Sequence, residues 1–222
     1  MLTLCTWLWG DKYGDDDVAK LVSGVRRHLR QPHRFICFSE RALRMDGVEC
    51  GVIPDLELTK TPGCFARLRL FDPFWQDMWF SDRVVNMDLD TVITGPLDPL
   101  FDRPEPFVIL QGANASNPCP YNGSLMMLRP GAHPEVWMDF SLEKASKLPF
   151  YEFPDDQGWI AHKIHKAASW KCGPKSGVYA FEKPCWPHDG GLPDDARMVV
   201  FPGWRSPAKF SDLPWIKQHW VL

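Results

Sequence analysis

Apolar residues occur along this chain in two spacings. Residues 2–9 are hydrophobic almost without a break, which predicts a buried first strand. Residues 17–29 instead place Val18, Leu21, Val22, Val25 and Leu29 at helical intervals. Two further strands are predicted at residues 34–39 and 48–53. A helix is predicted at residues 64–75, carrying Arg67 and Arg69 and breaking around Pro73. The run Val84-Val85-Asn86-Met87-Asp88-Leu89-Asp90-Thr91-Val92-Ile93 reads as one strand, closed by a turn at Gly95-Pro96. Strand, helix, strand, strand, helix, strand is the order of an α/β fold with a mainly parallel central sheet flanked by helices. Beyond residue 104 the elements shorten. Strands are expected at residues 107–111 and 124–128, and helices near 135–147 and 156–166. A β-run at 199–201 leads into a loop, and residues 215–220 form a terminal helix docked on the core.

The chemistry of the chain concentrates at Asp88 and Asp90. In an extended strand, residues two apart point to the same side, so both carboxylates converge while Leu89 turns into the packing. An Asp-x-Asp triplet in a polar turn means little, and Asp15-Asp16-Asp17 reads as a solvated turn. Asp88 and Asp90 lie inside an apolar run, where unpaired charge is costly. Two carboxylates held together repel unless a cation sits between them. A divalent metal with few protein ligands fills that need and leaves room for a diphosphate. In open α/β sheets ligands bind beyond the carboxyl ends of the strands, where this pair is expected.

Composition narrows the class. With 222 residues, 45% of them hydrophobic, the chain can bury one good core, and no second periodic block or internal repeat appears. Residues 1–222 therefore read as one domain. A net charge of −3 argues against a general nucleic-acid binder, and Arg26, Arg27, His28, Arg30 and Arg34 read as a solvated helix face. No run of about 18 apolar residues suggests a membrane span. The start of the sequence lacks the charged-then-apolar layout of a signal peptide. Seven cysteines without a Cys-x-x-Cys pair read as reduced thiols in a cytoplasmic protein. The 21 prolines and 11 tryptophans suggest long ordered loops over a site.

Three further segments bear on a site. Asn122-Gly123-Ser124 places a small polar turn before an apolar strand. Pro154-Asp155-Asp156-Gln157 looks like a helix N-terminus, where an acidic cap accounts for one aspartate but not for the Gln that follows. The loop Pro202-Gly203-Trp204-Arg205-Ser206-Pro207-Ala208-Lys209 offers two cations, Arg205 and Lys209, suited to a diphosphate.

In this order the pieces resemble the glycogenin-like and lipopolysaccharide-galactosyltransferase-like retaining glycosyltransferases of family 8, from Thr3 to about Trp220. The most specific match is Asp88-Leu89-Asp90 with its trailing Leu97-Asp98-Pro99-Leu100-Phe101. Asn122-Gly123-Ser124 is similar to the family's Asn-Ser-Gly, Asp155-Asp156-Gln157 to its Gly-Asp-Gln, and Ala66-Arg67-Leu68 to its Ser/Thr-Lys-Leu. The resemblance implies a single GT-A-type, Rossmann-like domain and a UDP-sugar donor. It implies that Thr6, Trp7, Trp9 and Tyr13 hold uracil and ribose, and that Asp88 and Leu89 lie along the nucleotide. Asp88 and Asp90 would bind Mn²⁺ or Mg²⁺, a Lewis acid for the departing UDP. Arg67, Asn122, Asp156 and Gln157 would surround the sugar, and Arg205 and Lys209 would meet the phosphates. Asp156 then either stabilises or attacks the anomeric centre, or a front-face path proceeds without a protein nucleophile.

One departure stands out. Where the family carries a histidine as third metal ligand, this chain has Pro202. His188 could substitute, two carboxylates and water could hold the metal, or Arg205 and Lys209 could neutralise the charge; otherwise activity is lost. The expected function is transfer of a hexose from a UDP-sugar to an acceptor hydroxyl on an unidentified glycan, lipid or protein. The alternatives are a nucleotide-sugar-binding pseudoenzyme and, last, a sugar nucleotidyltransferase, which would need a Gly-rich phosphate loop that Trp7-Leu8-Trp9-Gly10-Asp11 does not provide.

Overall fold

The computed structural model describes residues 1–113, 119–148 and 154–222. β1 (Leu2–Leu8) is buried at all seven positions. α1 (Asp15–His28), β2 (His33–Ser39) and β3 (Glu49–Val52) follow, and the three strands pair in parallel. α1 begins at the acidic triplet that the sequence placed in a solvated turn. Asp17 accepts from the Gly14 amide at 2.8 Å, and all three acids sit where the helix dipole favours them. The basic end of α1 is not simply solvated: Arg26 donates to the Asp46 carbonyl, and Arg27 to the carbonyls of His219 and Val221.

α2 (Leu56–Lys60) leads to a 3-10 helix at Phe65–Phe71 and then α3 (Pro73–Trp79). The break predicted at Pro73 is there: Asp72 caps α3 through the Phe74 amide, and Pro73 takes the first helical position. The stretch before it is tighter than an α-helix. Six of its seven residues are buried, so it has no single apolar stripe with which to lie on the sheet.

β4 (Val84–Met87) joins β1 in parallel, but the strand does not continue to Ile93. Residues 88–90 turn, and β5 (Thr91–Ile93) enters a second sheet. α4 (Asp98–Phe101), β6 (Phe107–Gln111) and β7 (Tyr121–Leu128) come next. The single helix predicted near residues 135–147 is two, α5 (Glu135–Met138) and α6 (Leu142–Ser146), because Ser141 caps a new start through the Lys144 amide. α7 (Asp156–Lys163), β8 (Ala168–Lys171), β9 (Val178–Ala180), β10 (Met198–Val200) and α8 (Pro214–His219) complete the chain.

The large sheet has the order β3-β2-β1-β4-β7-β6-β8, in which only β7 runs against the others. A small sheet, β5-β10-β9, carries the chain away from the 88–90 turn. Leu4, Leu8, Val22 and Val25 fill one face of the large sheet, and Ile36, Phe38, Trp75 and Trp159 the other. Phe181, Trp186, Phe201 and Trp215 form a third cluster at the small sheet. Tryptophan is therefore mainly core material here, not loop cover. Cysteine also departs from expectation: Cys172 and Cys185 are joined in a disulfide. No helix among the described residues is long and apolar enough to cross a membrane.

Candidate functional site

Where β1 and β4 end side by side, a pocket of about 160 Å³ opens, lined by Trp7, Trp9, Lys12, Tyr13, Cys64, Arg67, Asp88, Leu89 and Asp90. A larger depression of about 630 Å³ lies near Leu2, Gln31 and Arg83, where β1 begins. The smaller pocket is the candidate, because parallel sheets present ligand sites at their carboxyl ends and because the paired acids are there.

The pocket is built around Arg67, which is 5% exposed. Its Nε donates to Asp156 Oδ2 at 2.8 Å, and its Nη1 reaches Asp88 and the Gly123 carbonyl. Gly63 and Cys64, both with positive φ, aim the 3-10 helix so that this side chain points inward. The Gly63 carbonyl also accepts from the Asp156 amide at 2.8 Å, tying α7 to the same corner. Gly123 leaves the guanidinium its space: a Cβ there would lie 2.7 Å from Arg67 Nη2.

Asp155 and Asp156 divide the work. Asp155 caps α7 through the Gly158 amide at 2.7 Å, while Asp156, 1% exposed, turns inward to Arg67. Gln157 accepts from the Gly123 amide at 2.9 Å and donates to Asp155, which locks β7 to the start of α7. The Asn122 carboxamide accepts from the Ser124 amide at 3.0 Å. Asn122, Asp156 and Gln157 thus stand behind Arg67 and do not line the pocket.

Asp90 accepts from the Tyr13 hydroxyl and lies 3.7 Å from the Lys12 ammonium group. Burial, then the neighbouring Asp88 charge, push the Asp90 carboxyl up to about 7, against the pull of Tyr13, Lys12 and Arg67. Burial likewise lifts Asp156 to about 7 while Arg67 draws it down. Tyr13 is raised by burial and by Asp90. Three carboxyl groups and two cations therefore share this corner.

The remaining expected residues lie elsewhere. Thr6 is fully buried on the face of β1 opposite Trp7, and its hydroxyl has no hydrogen-bond partner among the described residues. Arg205 pairs with Glu182 at 2.9 Å, and Lys209 donates to the Trp204 carbonyl and lies over the Trp204 ring. His188 lines a separate depression with Phe181 and Trp186. Two residues that belong to no motif matter here. Lys12 stands at the pocket mouth, and buried Asn86 accepts from Trp7 Nε1 at 2.9 Å and donates to the Gly123 carbonyl at 3.2 Å.

For a divalent metal the donor set is small. Among the described residues no group of three or more His, Cys, Asp or Glu is arranged to hold an ion. Asp88 and Asp90 each retain one carboxylate oxygen without a hydrogen bond or ion pair among those residues. Two carboxylates completed by water and phosphate fit Mg²⁺ or Mn²⁺ chemistry.

No protein-family model and no curated protein matches the sequence. Solved structures do. The galactosyltransferase LgtC, in complex with donor and acceptor sugar analogues, aligns with a TM-score of 0.61 and 10% identity, over 99% of this chain and 97% of that one. The apo glycosyltransferase GlyE of Streptococcus pneumoniae aligns with a TM-score of 0.66 and 13% identity, over 98% of this chain and 63% of that one. An active-site mutant of LgtC gives a TM-score of 0.63 at 11% identity, over 99% of this chain and 97% of that one. The chain has the GT-A-type fold of these glycosyltransferases.

Proposed function

We propose that the protein is a retaining glycosyltransferase, one domain over residues 1–222, that moves a hexose from a UDP-sugar to an acceptor hydroxyl. The observation that carries this reading is the meeting of Asp88 and Asp90 with Trp7, Trp9 and Tyr13 at one pocket on the carboxyl edge of the parallel strands. Three aromatic rings offer stacking for a base, and the acids sit where a diphosphate would follow. Asp88 and Asp90 would hold Mn²⁺ or Mg²⁺, which when bound supplies Lewis-acid stabilisation of the leaving diphosphate.

Arg67 orients Asp88 and holds it in place while the bond to the sugar breaks. Asp156, buried and ion-paired behind Arg67, is poorly placed to attack a sugar carbon, which favours the front-face path. On that path the acceptor oxygen bonds to the anomeric carbon on the face UDP leaves, and the hydroxyl proton passes to the departing phosphate oxygen. The retaining outcome itself rests on the family resemblance. We place the protein in the cytoplasm, and the Cys172–Cys185 disulfide is the feature against that location. The pseudoenzyme reading keeps one supporting observation, namely that Pro202 offers no side-chain ligand.

The test is thermal unfolding with UDP, with and without Mn²⁺, on the wild type and Asp90→Asn. Stabilisation by UDP that Mn²⁺ strengthens, with the Mn²⁺-dependent part removed by Asp90→Asn, is the expected result. An unchanged melting temperature in every condition refutes the donor site. Binding without transfer or hydrolysis under any metal selects the pseudoenzyme.

A further inference from the structure

We propose that Lys12 is a diphosphate-binding residue whose ammonium group passes between Asp90 and the donor, giving the pocket a share of UDP binding that needs no metal. The inference rests on the reading of the site as a UDP-sugar pocket.

Lys12 stands on the loop between β1 and α1, at the pocket mouth. Its Nζ lies 3.7 Å from Asp90 Oδ2, 3.3 Å from the Gly203 carbonyl and 4.7 Å over the Tyr13 ring. It therefore spans the opening, from the Asp90 turn to the loop that follows β10. None of these contacts is tight. The ion pair is longer than a hydrogen bond, the contact to Gly203 is at the long end of the range, and an ammonium has three donors to place.

The two members of the ion pair are unequally held. The Lys12 side chain is 53% exposed and that of Asp90 10%, so the cation can leave while the carboxylate cannot. The other cation lining the pocket lacks that freedom, because Arg67 is buried between Asp88 and Asp156. Lys12 is the pocket-lining cation able to follow a ligand.

The charge around it gives the movement a direction. An incoming diphosphate meets the Asp88 and Asp90 carboxyl groups at the pocket wall, so positive charge delivered with it strengthens its binding. A divalent ion delivers two charges onto two carboxylates. Lys12 delivers one that is already tethered, and it exchanges a single loose carboxylate contact for charge-assisted bonds to phosphate oxygens. Metal and Lys12 therefore compete for Asp90 when the pocket holds no nucleotide and act together on a bound diphosphate.

The experiment is calorimetric titration of the whole protein with uridine, UMP and UDP, in EDTA and in Mn²⁺, for the wild type, Lys12→Met and Lys12→Arg. In EDTA the wild type should bind UDP more tightly than UMP or uridine. Lys12→Met should lose roughly tenfold or more in UDP affinity while its uridine affinity stays within about twofold, as expected for one charge-assisted phosphate contact. Lys12→Arg should recover most of the loss. Mn²⁺ alone should bind Lys12→Met more tightly than wild type. The proposal is overturned if Lys12→Met binds UDP in EDTA as the wild type does, if the loss is equal for uridine and UDP, or if the wild type binds UDP only with Mn²⁺. In those cases the UDP-sugar reading still stands. Absence of UDP binding by the wild type in both EDTA and Mn²⁺ removes the reading itself.

Discussion

Replacing Gly123 by Ala tests the packing that holds the site together. The backbone there accepts any residue, so the substitution introduces no φ strain, and the new methyl meets Arg67 Nη2 at 2.7 Å, Arg67 Cζ at 3.1 Å and Asp156 Oδ2 at 3.3 Å. Ordinary contact begins at 3.4 Å, so the guanidinium must retreat by about 0.7 Å. Arg67 has little room to do so, because its Nε is fixed on Asp156 at 2.8 Å and its Nη1 on Asp88. Overpacking of this kind costs about 1–3 kcal/mol. The entropy gained by removing a glycine from a strand returns roughly 0.5–1 kcal/mol, leaving a net loss of roughly 0–2.5 kcal/mol. Urea unfolding of the wild type, Gly123→Ala, Arg67→Met and the double variant separates these terms. The double variant should be less damaged than the two single effects added together, by about the size of the clash. UDP affinity should fall in Gly123→Ala, since Asp88 moves with Arg67. A stabilising Gly123→Ala, or strict additivity in the cycle, would refute the account of Arg67 as a clamped side chain.

Two further expectations follow from the same corner. Asp90 and Asp156 hold their protons up to about 7, above the ordinary carboxylate value of 3.8, so the stability they contribute is complete below 3.8 and is lost as pH rises through 7. Melting curves of the metal-free protein should therefore shift downward from pH 6 to pH 8, and less so in Asp90→Asn; a rising melting temperature contradicts the assignment. Mn²⁺ must displace the Asp90 proton, so its affinity should climb by up to about tenfold per pH unit below 7 and level off above, as read by electron paramagnetic resonance. Asn86→Ala leaves both Trp7 Nε1 and the Gly123 carbonyl without their buried partner. The expected cost is about 1–3 kcal/mol for each group in chemical denaturation, with weaker UDP binding as Trp7 loses its anchor. Unchanged stability would mean that water reaches these groups.

The legible parts of the fold were those with enough residues to carry a period. β1, α1 and β2 are seven residues or longer and declared themselves by apolar run or helical stripe. β5, β9 and β10 have three residues each, too few to show an alternation. They also pair with partners far along the chain, Ile93 with Met198 for example. That is why Val84 to Ile93 read as one strand: the apolar composition continues through the turn, and only the pairing partners change. The Cys172–Cys185 bond is hidden for a related reason, since seven scattered cysteines allow many pairings and spacing selects none.

At the site the same physics sorts what could be read from what could not. Asp88 and Asp90 drew notice because charge inside an apolar run must have a partner, and Arg67 is the partner that Asp88 has. Asn86 lies two residues earlier in that run, and the argument applies to it equally: a buried carboxamide needs partners, which Trp7 and Gly123 supply. Asp155 and Asp156 needed the backbone to tell them apart. Asp155 is the extended residue that caps α7 and Asp156 is its first helical residue, so the backbone sends the first side chain to the cap and the second into the core. Arg205 and Lys209 show the converse. A sequence displays cations but not the acid or ring that engages them, and Glu182, the partner of Arg205, is 23 residues away. Lys12 had no sequence signal beyond a lone cation beside Tyr13. Its importance comes from the topology, which ends β1 and β4 side by side and so sets the first loop of the chain against Asp90.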